Sequence, residues 1–123
     1  MVIKLPLKKN TQFILMGGGY DLGLISDILL EQKFKKPIIV THSKKFHKRD
    51  NRILKNTKHY FDIFSYAREK KIQIIEEDDV NKPYLIKKLL AQGGNVVFSH
   101  ACRSIIKQGF LKSFKNLVFK YRV

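Results

Sequence analysis

One cysteine, Cys102, stands in the 123 residues. A lone thiol excludes an internal disulfide and fits a reducing compartment. Long apolar runs are also missing, and none approaches the ~20 residues of a membrane-spanning helix. The opening MVIKLPLKKN carries lysines without the longer apolar segment of a secretory signal. These absences predict a cytoplasmic protein with no membrane partner. Acid is the scarcest chemistry: 10 Asp+Glu face 25 Lys+Arg, giving a formal charge of +15. No carboxylate side chain follows Asp79, although basic residues continue to Arg122. A self-contained domain more often intersperses both signs, so the acid-free stretch raises the expectation that further sequence is missing from the end.

What is present describes one domain, residues 1–123, with 44% hydrophobic residues, enough for a real core and too many for disorder. Gln12–Met16 reads as a strand bounded by glycines, and Tyr20–Gln32 as a helix with Leu22, Ile25, Ile28 and Leu29 at helical spacing. Pro37–Thr41 reads as a second, buried strand, and the polar His42–Lys58 as a long connection. Helical spacing returns at Tyr60, Phe64 and Ala67 and ends in "REKK", which suits a helix C-terminus. "IQII" is a third strand, and Asn81 is the predicted N-cap of a helix over Pro83–Gln92 with Gly93 as its stop. "NVVFSH" is a fourth strand, Ser104–Phe114 a shorter helix and "NLVF" a fifth strand. The alternation predicts an open, doubly wound, Rossmann-like α/β fold with a mostly parallel sheet of about five strands and flanking helices. Its last strand has no following helix to cover it, and such an edge would pair with another copy of the chain.

The stretch "ILMGGGYDLG" places three glycines between a strand and a helix, the usual cradle for a phosphate. A dinucleotide fingerprint needs G-x-G-x-x-G, but Leu22 fills the third place, and Thr41 and His42 stand where an acid would hold ribose hydroxyls. A P-loop fails as well, because Leu24 and Ile25 replace Lys and Ser/Thr. A structural turn, or a turn lining some other ligand, remains. Thr41–Tyr60 holds seven basic residues against Asp50 alone. A solvated surface loop is one reading of it; an anion-binding loop at the carboxyl end of the second strand is the other. His42 and His47, five apart among cations, make a poor metal site. "EEDD", Glu76–Asp79, reads as a cluster at the start of a helix rather than a metal site. His100 and Cys102 are two apart, but no acid in the second half is there to orient a Cys–His pair.

"NVVFSHACRSIIKQGFLKSFKNLVF" resembles the segment before the active site of folate-dependent formyltransferases, including methionyl-tRNA and sugar N-formyltransferases. In that family a strand leads into S-x-x-x-R-x-I-(I/L), a short helix and a strand carrying Asn-x-His; Ser99, Arg103, Ile105 and Ile106 match the loop. "IQIIEEDDVNKPYLIKKL" fits the same domain, and the resemblance runs from Phe13 onward. It implies the N-terminal part of the catalytic domain, with Ser99, His100, Arg103, Ile105 and Ile106 along the pteridine of 10-formyltetrahydrofolate. It further implies transfer of the formyl group to an amine. The basic stretch Lys44, Lys45, Lys48 and Arg49 suits the diphosphate of a nucleotide-linked amino sugar, with Gly17, Gly18 and Gly19 lining the cleft. Aligned without a gap, Asn-x-His falls at Lys120-Tyr121-Arg122; alternatively "KYR" matches a basic motif just beyond it, implying an internal deletion. Either way the catalytic pair and the later aspartate are lost. The expectation is a chain without transfer activity by itself and without catalytic or metal-ligating residues. The +15 charge, with Phe46, Tyr60 and Tyr121 near cationic segments, supports the alternative of a non-catalytic module binding nucleotide or RNA.

Overall fold

The apolar run before the glycines forms β1 (Gln12–Gly17), buried along its whole length. The computed structural model describes residues 8–54, 61–115 and 117–120, apart from the side chains of 49–51, 53–54 and 120. After β1 come α1 (Tyr20–Glu31), β2 (Ile38–Thr41), α2 (Lys44–Leu54), α3 (Ile63–Lys70), β3 (Ile74–Glu76), α4 (Pro83–Ala91), β4 (Gly94–His100), α5 (Gln108–Ser113) and β5 (Val118–Lys120). The strands form one parallel sheet in the order β3-β2-β1-β4-β5. This is the open, doubly wound, Rossmann-like α/β arrangement that the alternation of strands and helices predicts. Among the described residues no helix is long and apolar enough to cross a membrane.

A central parallel strand is covered on both faces, so its sequence is apolar without a break. Successive side chains then divide between two cores. Phe13 and Leu15 join Leu22 and Leu29 of α1, Ile63 and Ala67 of α3, and Ile39 on one face. Ile14 and Met16 meet Leu85 and Leu89 of α4, Phe110 of α5 and Val97 on the other. Burying each such Leu or Phe is worth roughly 1.5–3 kcal/mol relative to leaving it in water. Register ties the layers together, with Leu15 opposite Ile39 on one side and Phe98 on the other.

Helix ends follow local chemistry. Asp62 caps α3 by accepting from the N–H groups of Phe64 (3.0 Å) and Ser65 (3.2 Å). Gly93, at φ 82, stops α4 and donates its N–H to the Leu90 carbonyl at 2.9 Å.

Four expectations need correction. His42–Lys58 is not simply a connection, because Lys44–Leu54 is helical. At the start of that helix Asp78, just beyond β3, and Glu76, the last residue of β3, accept from the N–H groups of Ser43 (2.7 Å) and Lys44 (3.2 Å). The Asn81 side chain does not cap α4, whose N-cap residue is Lys82, because its amide is turned toward the chain after β4. The shorter helix begins at Gln108, four residues later than Ser104, since Ser104 and Ile105 are drawn into hydrogen bonds with the β3–α4 loop. The helix placed around Tyr60 starts at Ile63, and Tyr60 lies outside the described residues.

Candidate functional site

From β1 the chain adds β2 and β3 on one side, then returns to place β4 and β5 on the other. Ligands of doubly wound sheets gather beyond the carboxyl ends of the strands at this reversal. Here the reversal lies between β1 and β4, where the glycine turn meets His100.

Gly17 has φ 122, and a β-carbon there would stand 1.7 Å from the His100 carbonyl oxygen. Only glycine allows this approach of the two backbones. The neighbouring groups are satisfied internally: the Gly18 N–H donates to the His100 carbonyl at 3.2 Å, and the Thr41 hydroxyl donates to the Gly17 carbonyl at 2.5 Å. Thus Gly17 and Gly18 spend their backbone on the neighbouring strands. Gly19 precedes α1, whose first turn has no side-chain cap.

Asp21, in the first turn of α1, brings its carboxylate 3.5 Å from Nε2 of His100. An acid for His100 therefore exists, in the first half of the chain. Distance along the sequence hid it; the strand–turn–helix pattern, which puts the start of α1 at the carboxyl edge, was the available signal. Cys102 packs against the core on the α4 face.

His42 is buried, contrary to its placement on a surface loop. Its ring stacks on His47 with centroids 3.8 Å apart and 11° between planes. Nε2 of His47 lies 2.8 Å from the Thr41 hydroxyl. Rings continue the contact in both directions: His42 meets Phe46 edge-on at 6.2 Å, and His47 meets Phe64 at 5.0 Å. Cations cover the outer rings, Arg103 over Phe46 at 4.2 Å and Lys44 over Phe64 at 5.3 Å. The stack links the segment after β4 to α2 and α3.

The four carboxylates divide between two helices. Glu76 and Asp78 serve the start of α2, whereas Glu77 accepts from the Tyr84 hydroxyl and pairs with Lys82 at 2.9 Å beside α4. Asp79 accepts from Asn81. The Ser43 N–H, with the Ser43 hydroxyl, Lys45 and His42, holds the Asp78 carboxyl below its ordinary value against a rise from burial. Burial raises the Glu77 carboxyl, but Tyr84 and Lys82 together bring it below the usual range.

Of the predicted folate residues, Ser99 is buried at the end of β4 and His100 is partly buried beside Asp21. Arg103 is exposed against Phe46. Ile106 is buried in the core, whereas Ile105 is 81% exposed. Of the predicted substrate residues, Gly17 and Gly18 meet that loop at the switch point, whereas a β-carbon on Gly19 would find nothing within 4 Å. Lys44, Lys45 and Lys48 are exposed on α2, and the Arg49 side chain lies outside those described. The N–H groups at the start of α2 that would have received an anion are already bound to Asp78 and Glu76. No protein-family model matches the chain, and no curated protein matches it either.

Proposed function

We propose that the chain is a ligand-binding domain of the folate-dependent formyltransferase type. In this reading 10-formyltetrahydrofolate lies along Ser99–Ile106, and a nucleotide-linked amino sugar lies toward the glycine turn and the α2 lysines. One juxtaposition supports it: the segment after β4 that carries the family-like residues meets the glycine turn at the reversal of strand order. In formyl transfer an amine attacks the formyl carbon, loses a proton, and leaves charge on the former carbonyl oxygen. Aligned without a gap, the positions of Asn-x-His read Lys120, Tyr121 and Arg122, and the alignment with an internal deletion loses the pair as well. A protonated lysine is a poor base and an arginine stays charged, so the proposed role is binding without transfer.

Calorimetric titration with 5-formyltetrahydrofolate tests this. Saturable binding that varies little with salt is expected, weakened about tenfold in Arg103→Ala, the effect of one strong charged contact. Absence of binding overturns the folate assignment, and formyl transfer by the purified chain overturns the non-catalytic one.

A second reading is a basic module for nucleotide or RNA. It is favoured by the exposure of Lys44, Lys45, Lys48, Arg52 and Arg103, of which Lys45 and Arg103 lie over the Phe46 ring. Binding to a homopolymeric RNA that falls steeply with added salt would select it. Self-association through the edge strand β5, where Phe119 is 49% exposed, would appear in light scattering as a mass that doubles with concentration.

A further inference from the structure

Two strands, β2 and β1, separate β3 from β4 in the sheet. Yet residues 104–107, which follow β4, bond to residues 78–81, which follow β3. The segment after His100 therefore turns back across the carboxyl ends of β1 and β2. It begins at Ala101 with φ 54, a conformation that costs a residue with a β-carbon some energy. Beneath it, bounded by Gly17, Thr41, His42 and Cys102, remains a cavity of about 10 Å³, room for one water.

Two side chains fasten this strap, one from each loop. The Ser104 hydroxyl donates to the Asp78 carbonyl (2.5 Å) and accepts from the Val80 N–H (3.1 Å). The Asn81 amide donates to the Ile105 carbonyl (2.7 Å) and accepts from the Lys107 N–H (2.9 Å). Asn81 is itself held by Asp79, whose carboxylate receives both its backbone and side-chain N–H at 3.0 Å. Each fastening residue both donates to and accepts from the opposite loop, so the two bind the same pair of backbones from opposite sides.

We infer that Asn81 and Ser104 form a latch that holds the strap shut over the switch point, and that a ligand larger than water reaches the floor of the crevice only when the latch opens. Strap and latch are a single cooperative unit, because freeing one loop from either side chain removes the geometry the other requires. The ligand's identity does not enter, so failure of the latch and failure of the folate reading are separate results.

The single cysteine supplies the readout, since Cys102 belongs to the strap and is held half-buried against the core on the α4 face while the strap stays down. Its rate of modification by a neutral dipyridyl disulfide should rise about tenfold in Asn81→Ala and in Ser104→Ala, the effect of losing two hydrogen bonds on an opening equilibrium. The double variant should exceed neither single one by more than about twofold, as expected for coupled partners. Ser104→Thr keeps the hydroxyl and should leave the rate within about twofold. Amide exchange then distinguishes a latch from independent bonds. Asn81→Ala should expose the Val80 N–H, which Asn81 does not touch, and Ser104→Ala should expose the Lys107 N–H. In the unaltered chain these two amides should share one protection factor and one denaturant dependence, a measurement that needs no variant to fold. Unequal protection there, or alanine variants that keep the fold and leave Cys102 modification unchanged, would overturn the latch.

Discussion

The two edges of the sheet differ in chemistry and in space. The carboxyl edge gathers the glycine turn, Asp21 with His100, the stacked histidines and both capping carboxylates, and encloses about 10 Å³. At the amino edge lies a groove of about 380 Å³ bounded by Leu90, Gly93, Asn95, Phe114 and Leu117. The larger void is the poorer in titratable groups. Parallel strands explain this, because every βα loop leaves from the same edge and brings its polar residues there. Volume and titratable chemistry therefore point to opposite ends of this sheet.

Glycines at the two edges should separate them most sharply. Gly17→Ala, on the crowded edge, should cost about 3 kcal/mol or more, since strain at positive φ adds to a collision with the His100 carbonyl. Gly93→Ala also falls at positive φ but has nothing within 4 Å of its added carbon. It should cost about 1–2 kcal/mol, the strain alone. Urea unfolding of the two variants checks the difference, and equal losses would remove the contrast in crowding.

Acid should act on the carboxyl edge first. The Asp78 carboxyl sits below its ordinary value in the folded chain, chiefly because of the Ser43 N–H. A folded value lowered in this way contributes stability that is present above the unfolded value, about 3.9, and is lost as pH falls through the folded one. Acidification below about pH 4 should release the start of α2, read as faster exchange of the Ser43 amide, while the Gly93 amide keeps its protection. Asp78→Asn should abolish that difference. The smallest effect belongs to Ile105→Ser, which should change stability by under about 0.5 kcal/mol because the side chain is 81% exposed. If folate lies along this loop, the same variant should weaken 5-formyltetrahydrofolate binding, separating a contact residue from a packing one.

Much of the fold was legible along the chain because local patterns carry it. Unbroken apolar runs marked the buried strands, and Leu85 and Leu89 marked the buried face of α4. The start of α2 was illegible for a physical reason. The N–H groups at its start are bonded by carboxylates more than thirty positions away, and only Phe46, Ile53 and Leu54 among its residues are apolar. Asn81 misled in an instructive way: a residue type suited to cap the next helix instead served the backbone of Ile105 and Lys107. At the candidate site, the residues of the β4 segment could be named in advance, but their partners Asp21 and Phe46 could not.

Composition and periodicity by themselves determined a basic chain of alternating strands and helices, because apolar spacing, prolines and glycines act within a few residues. They also determined that the glycine turn lacks the companions of a dinucleotide site or a P-loop, since those are residue identities. Tertiary structure alone decided that Gly17 must be glycine for the sake of His100, that His42 is buried against His47, and that the segment after β4 is strapped to the loop after β3. Each of these depends on groups brought together by strand order, and strand order follows from how the whole apolar surface is shared between the two faces of the sheet.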